Sequence, residues 1–397
     1  MIRNKLGFFL AGLMNNYNFG IVFSFAYAIS MLNPLINPSL VILIEIIPGF
    51  ITQILYPRYL YQTTYIFRFS TLFVTQIISS LFLIFFNNHL VFVFSSIALV
   101  SINSYLGEST MLSLSSFYQK SDLSLWSMGT GMAGLLATGM FLLFNMFLSQ
   151  KIIFVINLLL YLLIYGGSLF LLNLDRYIDR NIEKNKELRE INEDENNNVE
   201  QGREQGREQG QQEQQEKQGQ QEKNQVPQQH KDGINSKHFT FQDQLMFFKN
   251  IYTICLAYLI TYLFGFAYVP LMVKNNQEYQ ISQFLTRTFM FFGRITGNYI
   301  PLSFLKYLWI GHLYNLFCLV LYTTFLIKKI EIPFLVFEIL LVITYFINGI
   351  NYPMIYHYVY ENYQNDKEKH MGSVGQFTAF FTALGCLIGY PLQIILV

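Results

Sequence analysis

Glu108 is a carboxylate inside an apolar stretch long enough to span a bilayer. The segment reads Ser101-Ile-Asn-Ser-Tyr-Leu-Gly-Glu108-Ser-Thr-Met-Leu-Ser-Leu-Ser-Ser-Phe-Tyr118. A charge at membrane depth costs roughly 2.5–3.5 kcal/mol on insertion scales, so such a residue faces protein or a wet cavity rather than lipid. At helical spacing Ser101, Ser104 and Ser115 share its face, a polar stripe on an otherwise apolar helix. Two roles stay open for it: carrying a coupling proton, or serving as a structural carboxylate held by those serines or by an arginine. Glu45, in Ile-Glu45-Ile-Ile-Pro48, poses the same choice.

Cations and amides accompany these acids. Gln283, Arg287, Arg294 and Asn298 fall on one helical face at four-, seven- and four-residue steps. Two guanidiniums about 10 Å apart along one helix suit an anion, or each suits a carboxylate from another helix. For Arg287, nearer a helix end, snorkelling to the interface is the alternative. Asn15, Asn16, Asn348 and Asn351 are membrane-depth amides, suited to bonding between helices or to a polar solute. His357 titrates in the mildly acidic range when unperturbed; at a helix end it also fits a solvated or capping role. Gly129, Gly131 and Gly134 open the next helix with small residues that let backbones approach closely. A polar helix packed on a glycine-rich one is the core expected of a transporter.

Positioning these residues requires a bundle. Of 397 residues 52% are hydrophobic and only 13% charged, the composition of a polytopic membrane protein. The net charge of +1 gives no basis for a nucleic-acid partner. Cys255, Cys318 and Cys386 lie inside apolar runs, with no metal-ligand spacing. Runs long enough to cross the membrane fall at 6–31, 39–57, 64–86, 89–117, 125–149, 152–174, 250–273, 280–303, 307–327, 332–359 and 371–395. The first lacks a cleavage site and is retained. Pro34 and Pro38 mark a loop, and Pro48 and Pro353 mark kinks.

The expected architecture is all-α, about eleven transmembrane helices in two pseudo-repeats of six and five. A six-helix half (1–176) is followed by a linker (177–240) and a five-helix half (241–397). The linker is rich in Glu, Gln, Asn, Lys and Gly and cannot repay its ordering entropy, so disorder is expected there. Lys and Arg near helix ends place the N-terminus and the linker on the cytosolic side. The halves echo each other: Arg3-Asn4 and Leu10-Ala-Gly-Leu13 fall opposite Lys249-Asn250 and Leu256-Ala-Tyr-Leu259, and Gly107 and Tyr118 opposite Gly349 and Tyr360. Two parallel repeats with a site between them is the plan of major facilitator transporters, by architectural analogy.

Three stretches carry a family resemblance. Arg3-Asn-Lys-Leu-Gly-Phe-Phe-Leu-Ala-Gly-Leu-Met-Asn15-Asn16, Gly107-Glu108 with Leu112-Ser-Leu-Ser-Ser-Phe-Tyr118, and Trp126-Ser-Met-Gly-Thr-Gly-Met-Ala-Gly-Leu-Leu136 closely resemble the battenin family. The resemblance is strong over the first six helices and diffuse but collinear beyond them, where Gly293-Arg294 falls on the family's Ser-Arg. Thr261 stands where the family carries an acidic residue in the seventh helix. The resemblance implies a lysosomal or vacuolar multipass protein linked to lumenal pH, to basic amino acids such as arginine, and to clearance of glycerophosphodiesters.

The expected function is therefore secondary transport of a small polar metabolite, a glycerophosphodiester first and a basic amino acid second, with a proton as coupling ion. The bilayer is its surroundings, and the linker is where trafficking partners would bind. The competing classes are a non-transporting scaffold that regulates trafficking or acidification, and an equilibrative nucleoside carrier. The chain has no nucleophile elbow, no paired histidines at metal spacing and no Gly-rich phosphate loop after a strand, so an enzyme is not expected.

Overall fold

The computed structural model describes residues 2–32, 38–56, 59, 63–172, 241–363 and 367–396. Eleven long helices account for nearly all of them. The first half holds α1 (Ile2–Leu32), α2 (Pro38–Leu55), α3 (Tyr65–Phe86), α4 (Leu90–Ser115), α5 (Lys120–Phe144) and α6 (Gln150–Leu172). The second holds α7 (Phe241–Leu263), α8 (Asn276–Tyr299), α9 (Leu308–Ile327), α10 (Phe334–Asn362) and α11 (Lys367–Leu396). The described helices of the two halves, within 1–173 and 247–397, belong to one compact unit. The expected disordered linker, 177–240, lies outside the described residues.

Nine described helices are long and apolar enough to cross a membrane. The two remaining expected spans differ for separate reasons. α2 is apolar but short, and α8 carries too much polar side chain. The polarity of α8 has a structural cause, because one side of it is spent at the seam of the bundle. Gln283, Thr286, Gly293 and Arg294 are buried, whereas Phe289 and Phe292 are exposed. In contrast α9 turns Trp309, Leu313, Leu316 and Val320 outward at helical spacing, an apolar stripe suited to lipid.

The expected spans coincide with the helices to within a few residues, with α5 and α7 the main exceptions. α5 begins at Lys120 rather than near 125 because Gln119 and Asp122 form a capping box, in which the Gln119 N–H donates to Asp122 Oδ2 at 3.1 Å. It ends at Phe144, where Asn145 donates back to Phe141 O. In α7 a π-helical turn, Phe264–Tyr268, precedes a last α-helical turn, Val269–Met272. Pro270 has no N–H for the carbonyl of Phe266, and Ser39 Oγ of α2 donates to that oxygen instead at 3.0 Å.

The helix-packing expectation needs correction. α5 packs chiefly on α1 and α8, while α4 packs on α2 and α3 and meets α5 only slightly. The glycines account for this. A Cβ on Gly129 would lie 2.1 Å from Phe9 O, and one on Gly12 would lie 2.6 Å from Trp126 O, so α1 and α5 touch backbone to backbone. Gly131 and Gly134 face α8 instead, where a Cβ would meet Arg294 Cδ at 2.9 Å and Arg287 Cδ at 3.1 Å. The seam between the halves is closed by α5 against α8 and by α2 against α11, equivalent pairs under the repeat read from the sequence.

Candidate functional site

A cavity of about 80 Å³ lies in that seam. In this measure one water needs roughly 10–15 Å³, so the space holds several. Asn16 of α1, Glu108 of α4, Thr261 of α7, Arg287 and Arg294 of α8, and Asn348 of α10 all line it. The helices that supply polar groups thus come from both halves. Around these groups stand Tyr105, Tyr258, Tyr262 and Tyr352.

Glu108 and Arg294 are joined through one tyrosine. Tyr352 Oη donates to Glu108 Oε1 at 3.0 Å, and Tyr356 Oη lies at 3.5 Å from the same oxygen. The Arg294 guanidinium sits over the Tyr352 ring, 3.9 Å from its centroid. Arg294 Nη1 also donates to Thr130 of α5, and its Nε has no partner among the described residues. A carboxylate of the first half, a tyrosine of the second and an arginine reaching back to the first therefore form one chain across the seam. This differs from both structural expectations for Glu108. Ser101 accepts from Gly49 N of α2 (2.8 Å), Ser104 donates to Asn16 Oδ1 (2.9 Å), and Ser115 donates to Leu112 O (2.7 Å). Ser101 and Ser104 thus tie α4 to α2 and α1, Ser115 bonds within α4, and the carboxylate is left to the tyrosines.

Arg287 does not snorkel. Its side chain lines the cavity, with the guanidinium 4.8 Å from the centre of the Phe23 ring. Gln283 is buried on the same helix but does not line the cavity, and Asn298 Nδ2 donates to Arg294 O at 2.9 Å. Asn15 stands behind Asn16, donating to Asn16 Oδ1 and to Ser104 O, both at 3.0 Å. Asn348 donates to Thr261 Oγ1 and accepts from Asn315 Nδ2, both at 2.9 Å. Thr261 is thus a cavity-lining hydroxyl bonded to α10. Asn351 lies outside the cavity and donates to Ile347 O at 3.0 Å.

Glu45 and His357 also lie away from the cavity. Glu45 is 0% exposed, and neither carboxylate oxygen has a hydrogen-bond partner among the described residues. His357 is neither solvated nor capping: it is buried, and its Nε2 meets Ser124 Oγ at 2.8 Å. It belongs to a latch between α5 and α10, with the ion pair of Lys120 and Glu361 and the bond from Tyr360 Oη to Tyr118 O at 2.6 Å.

The residues that sequence reasoning missed are mainly aromatic. Tyr352 and Tyr356 make the key contacts, yet with 27 tyrosines in the chain no single one stood out. Their four-residue spacing on α10 is the one signal that sets them on a common face. Glu338 was also missed; its carboxylate is buried in α10 with both oxygens lacking partners among the described residues.

The family described as CLN3 protein matches residues 6–397. Protein BTN1 of Saccharomyces cerevisiae is 34% identical over 137 residues, covering 34% of this chain and 33% of its own. Battenin of Canis lupus familiaris is 30% identical over 162 residues, covering 34% of this chain and 36% of its own. The matched segments span about a third of the length of these relatives. Among solved structures, a major facilitator superfamily transporter in the outward conformation superposes with a TM-score of 0.51 at 13% identity, over 99% of this chain and 91% of its own. That likeness is one of fold.

Proposed function

The chain belongs to the CLN3 protein family, and from that premise we propose that it is a secondary transporter of the endolysosomal or vacuolar membrane. The observation that carries the proposal is the polar cavity between the halves, spanned by Glu108, Tyr352 and Arg294. A carboxylate, two guanidiniums and two amides lining a cavity in the seam of an apolar bundle are the kind of intramembrane polar groups that mark a solute pathway. A seam between two repeats is also where rocking of one half against the other exposes a site to alternate sides.

The solute is a small polar metabolite, with a glycerophosphodiester first and a basic amino acid second. Two guanidiniums against one carboxylate favour an anionic group, which a planar guanidinium can hold through two oxygens at once. Asn16, Thr261 and Asn348 suit hydroxyl groups beside it. A lysosomal location, a link to lumenal pH and arginine levels, and a coupling proton on Glu108 or Glu45 belong to the same proposal. No contact described here favours an equilibrative nucleoside carrier. The test is metabolite profiling of lysosomes from cells lacking the protein, with rescue by wild type and by Glu108→Gln. Build-up of a glycerophosphodiester cleared by wild type but not by the variant is expected. Equal rescue by both would move the weight to a trafficking scaffold.

A further inference from the structure

We infer that Ser39 is the gate residue at the end of the cavity opposite the latch. Its hydroxyl closes that end by holding the carbonyl of Phe266, which α7 presents to the seam. The inference rests on the transporter proposal above and names a contact that must part for a solute to pass.

The helices fix where Ser39 stands. α2 and α4 run parallel, with Gly49 N donating to Ser101 Oγ at 2.8 Å and Tyr56 Oη meeting Ser113 Oγ at 3.2 Å. α4 leads into Tyr118 of the latch, so α2 ends near the latch and begins, at Ser39, about 25 Å from it. The cavity lies between these ends. Asn16, Phe19 and Gly20 of α1 line it, as do Thr261 and Tyr262 of α7. One turn further from the latch, Phe23 of the first half meets the Tyr262 ring of the second edge to face, centroids 6.3 Å apart. One turn further along α7 stands Phe266.

The backbone of α7 makes Phe266 O available to the other half. The π-helical turn closes from Val269 N–H to Phe264 O, and Pro270 brings no N–H to Phe266. Phe264, Ala267, Tyr268 and Val269 pack in the apolar core of the second half, which fixes the turn there. α11 approaches closely behind it, since a Cβ on Gly389 would lie 2.8 Å from Phe266 Cβ. The bond to the carbonyl comes from the first half, from Ser39 Oγ at 3.0 Å, and Gln393 Oε1 of α11 lies 2.5 Å from the same buried hydroxyl. A buried carbonyl without a partner is costly inside a bilayer, whereas one facing water is satisfied. With the halves together at this end Ser39 supplies the partner; with them apart, entering water does. The contact thus has two satisfied states, closed and open, which is what a gate requires.

The test uses Thr382→Cys, a cavity-lining position of α11, as a reporter in the full-length protein in sealed vesicles. Its reaction with a membrane-impermeant sulfonated methanethiosulfonate is followed by mass spectrometry, which separates it from the buried Cys255, Cys318 and Cys386. Reaction is expected from the side opposite the start of α1, about tenfold faster in Ser39→Ala, whose closed state buries a bare carbonyl. Adding Pro270→Ala gives position 270 an N–H for Phe266 O. Ser39→Ala/Pro270→Ala should therefore fall back to within about twofold of the reporter alone, whereas two unrelated packing defects would add. Should Ser39→Ala not fold, recovery of a monodisperse gel-filtration peak in the double variant reads the same pairing. A rate indifferent to Ser39→Ala, a rise or a folding defect that Pro270→Ala does not reverse, or faster labelling from the side where α1 starts overturns the inference. The reporter needs no solute and the metabolite profile needs no particular gate, so this inference and the transporter proposal fail separately.

Discussion

Arg294 and Glu108 do not touch, and the structure puts Tyr352 between them. That arrangement fixes what substitutions should do. Removing both charges in an Arg294→Gln/Glu108→Gln double variant should not restore transport, because no ion pair between them is being repaired; full recovery in a vesicle uptake assay would return Arg294 to a structural role. Arg294→Lys should fold normally, keep the contact with the Tyr352 ring and lose the planar fork. Uptake of a phosphodiester is expected to fall on the order of tenfold, about 1.4 kcal/mol, while neutral analogues change little. Tyr352→Phe keeps the ring under Arg294 but withdraws the hydroxyl from Glu108, leaving the longer contact of Tyr356. Loss of a bond to a buried acceptor costs about 1–3 kcal/mol, which thermal unfolding in detergent would register. Glu108, Glu45 and the two arginines were legible because charge in an apolar run stands out. Their partners were not, since pairing across some 240 residues of chain is set by packing and leaves no local trace.

At the scale of elements, the helices were visible because apolar runs of membrane length have few alternatives. What joins to what was harder to read. The glycines of α5 announced close approach, yet spacing alone pointed to α4, whereas the structure divides them between α1 and α8. That division gives a graded prediction. Gly129→Leu drives a side chain into the backbone of α1 at Phe9 and should abolish folded protein, seen as loss of a monodisperse peak in fluorescence-detected gel filtration. Gly131→Ala meets the side chains of Arg294 and Phe291, which can shift, so overpacking of about 1–3 kcal/mol and impaired transport are expected in a protein that still folds. Reversing that order would mean α5 faces its neighbours differently. The π-helical turn at Phe264–Tyr268 left no local signal, since the bond that satisfies Phe266 O comes from Ser39 on another helix.

Across the whole molecule, the two halves echo each other in sequence and meet through equivalent helix pairs, so the repeat read from scattered matches corresponds to how the seam is built. The latch between α5 and α10 follows from the same plan, since Tyr118 and Tyr360 are repeat equivalents and bond to each other. Exchanging its ions, in a Lys120→Glu/Glu361→Lys variant, should preserve expression and transport, with either single change shifting transport rate rather than folding. Abolished expression of the double variant would show that this end is a fixed joint. Deleting 183–235 with a flexible tether retained should leave transport intact and alter localisation at most; loss of all transport in correctly placed protein would favour the scaffold.

The junction of α1 and α5 has one more use. The chain contains two tryptophans, Trp126 and Trp309. Trp126 is wholly buried where Gly12 meets its carbonyl, one turn before the threonine that holds Arg294; Trp309 is 48% exposed on the lipid-facing stripe of α9. A Trp309→Phe protein would therefore carry a single tryptophan beside the seam, excited apart from the 27 tyrosines at the red edge of the absorption band. Its emission could follow the opening and closing of that seam in real time without any added label.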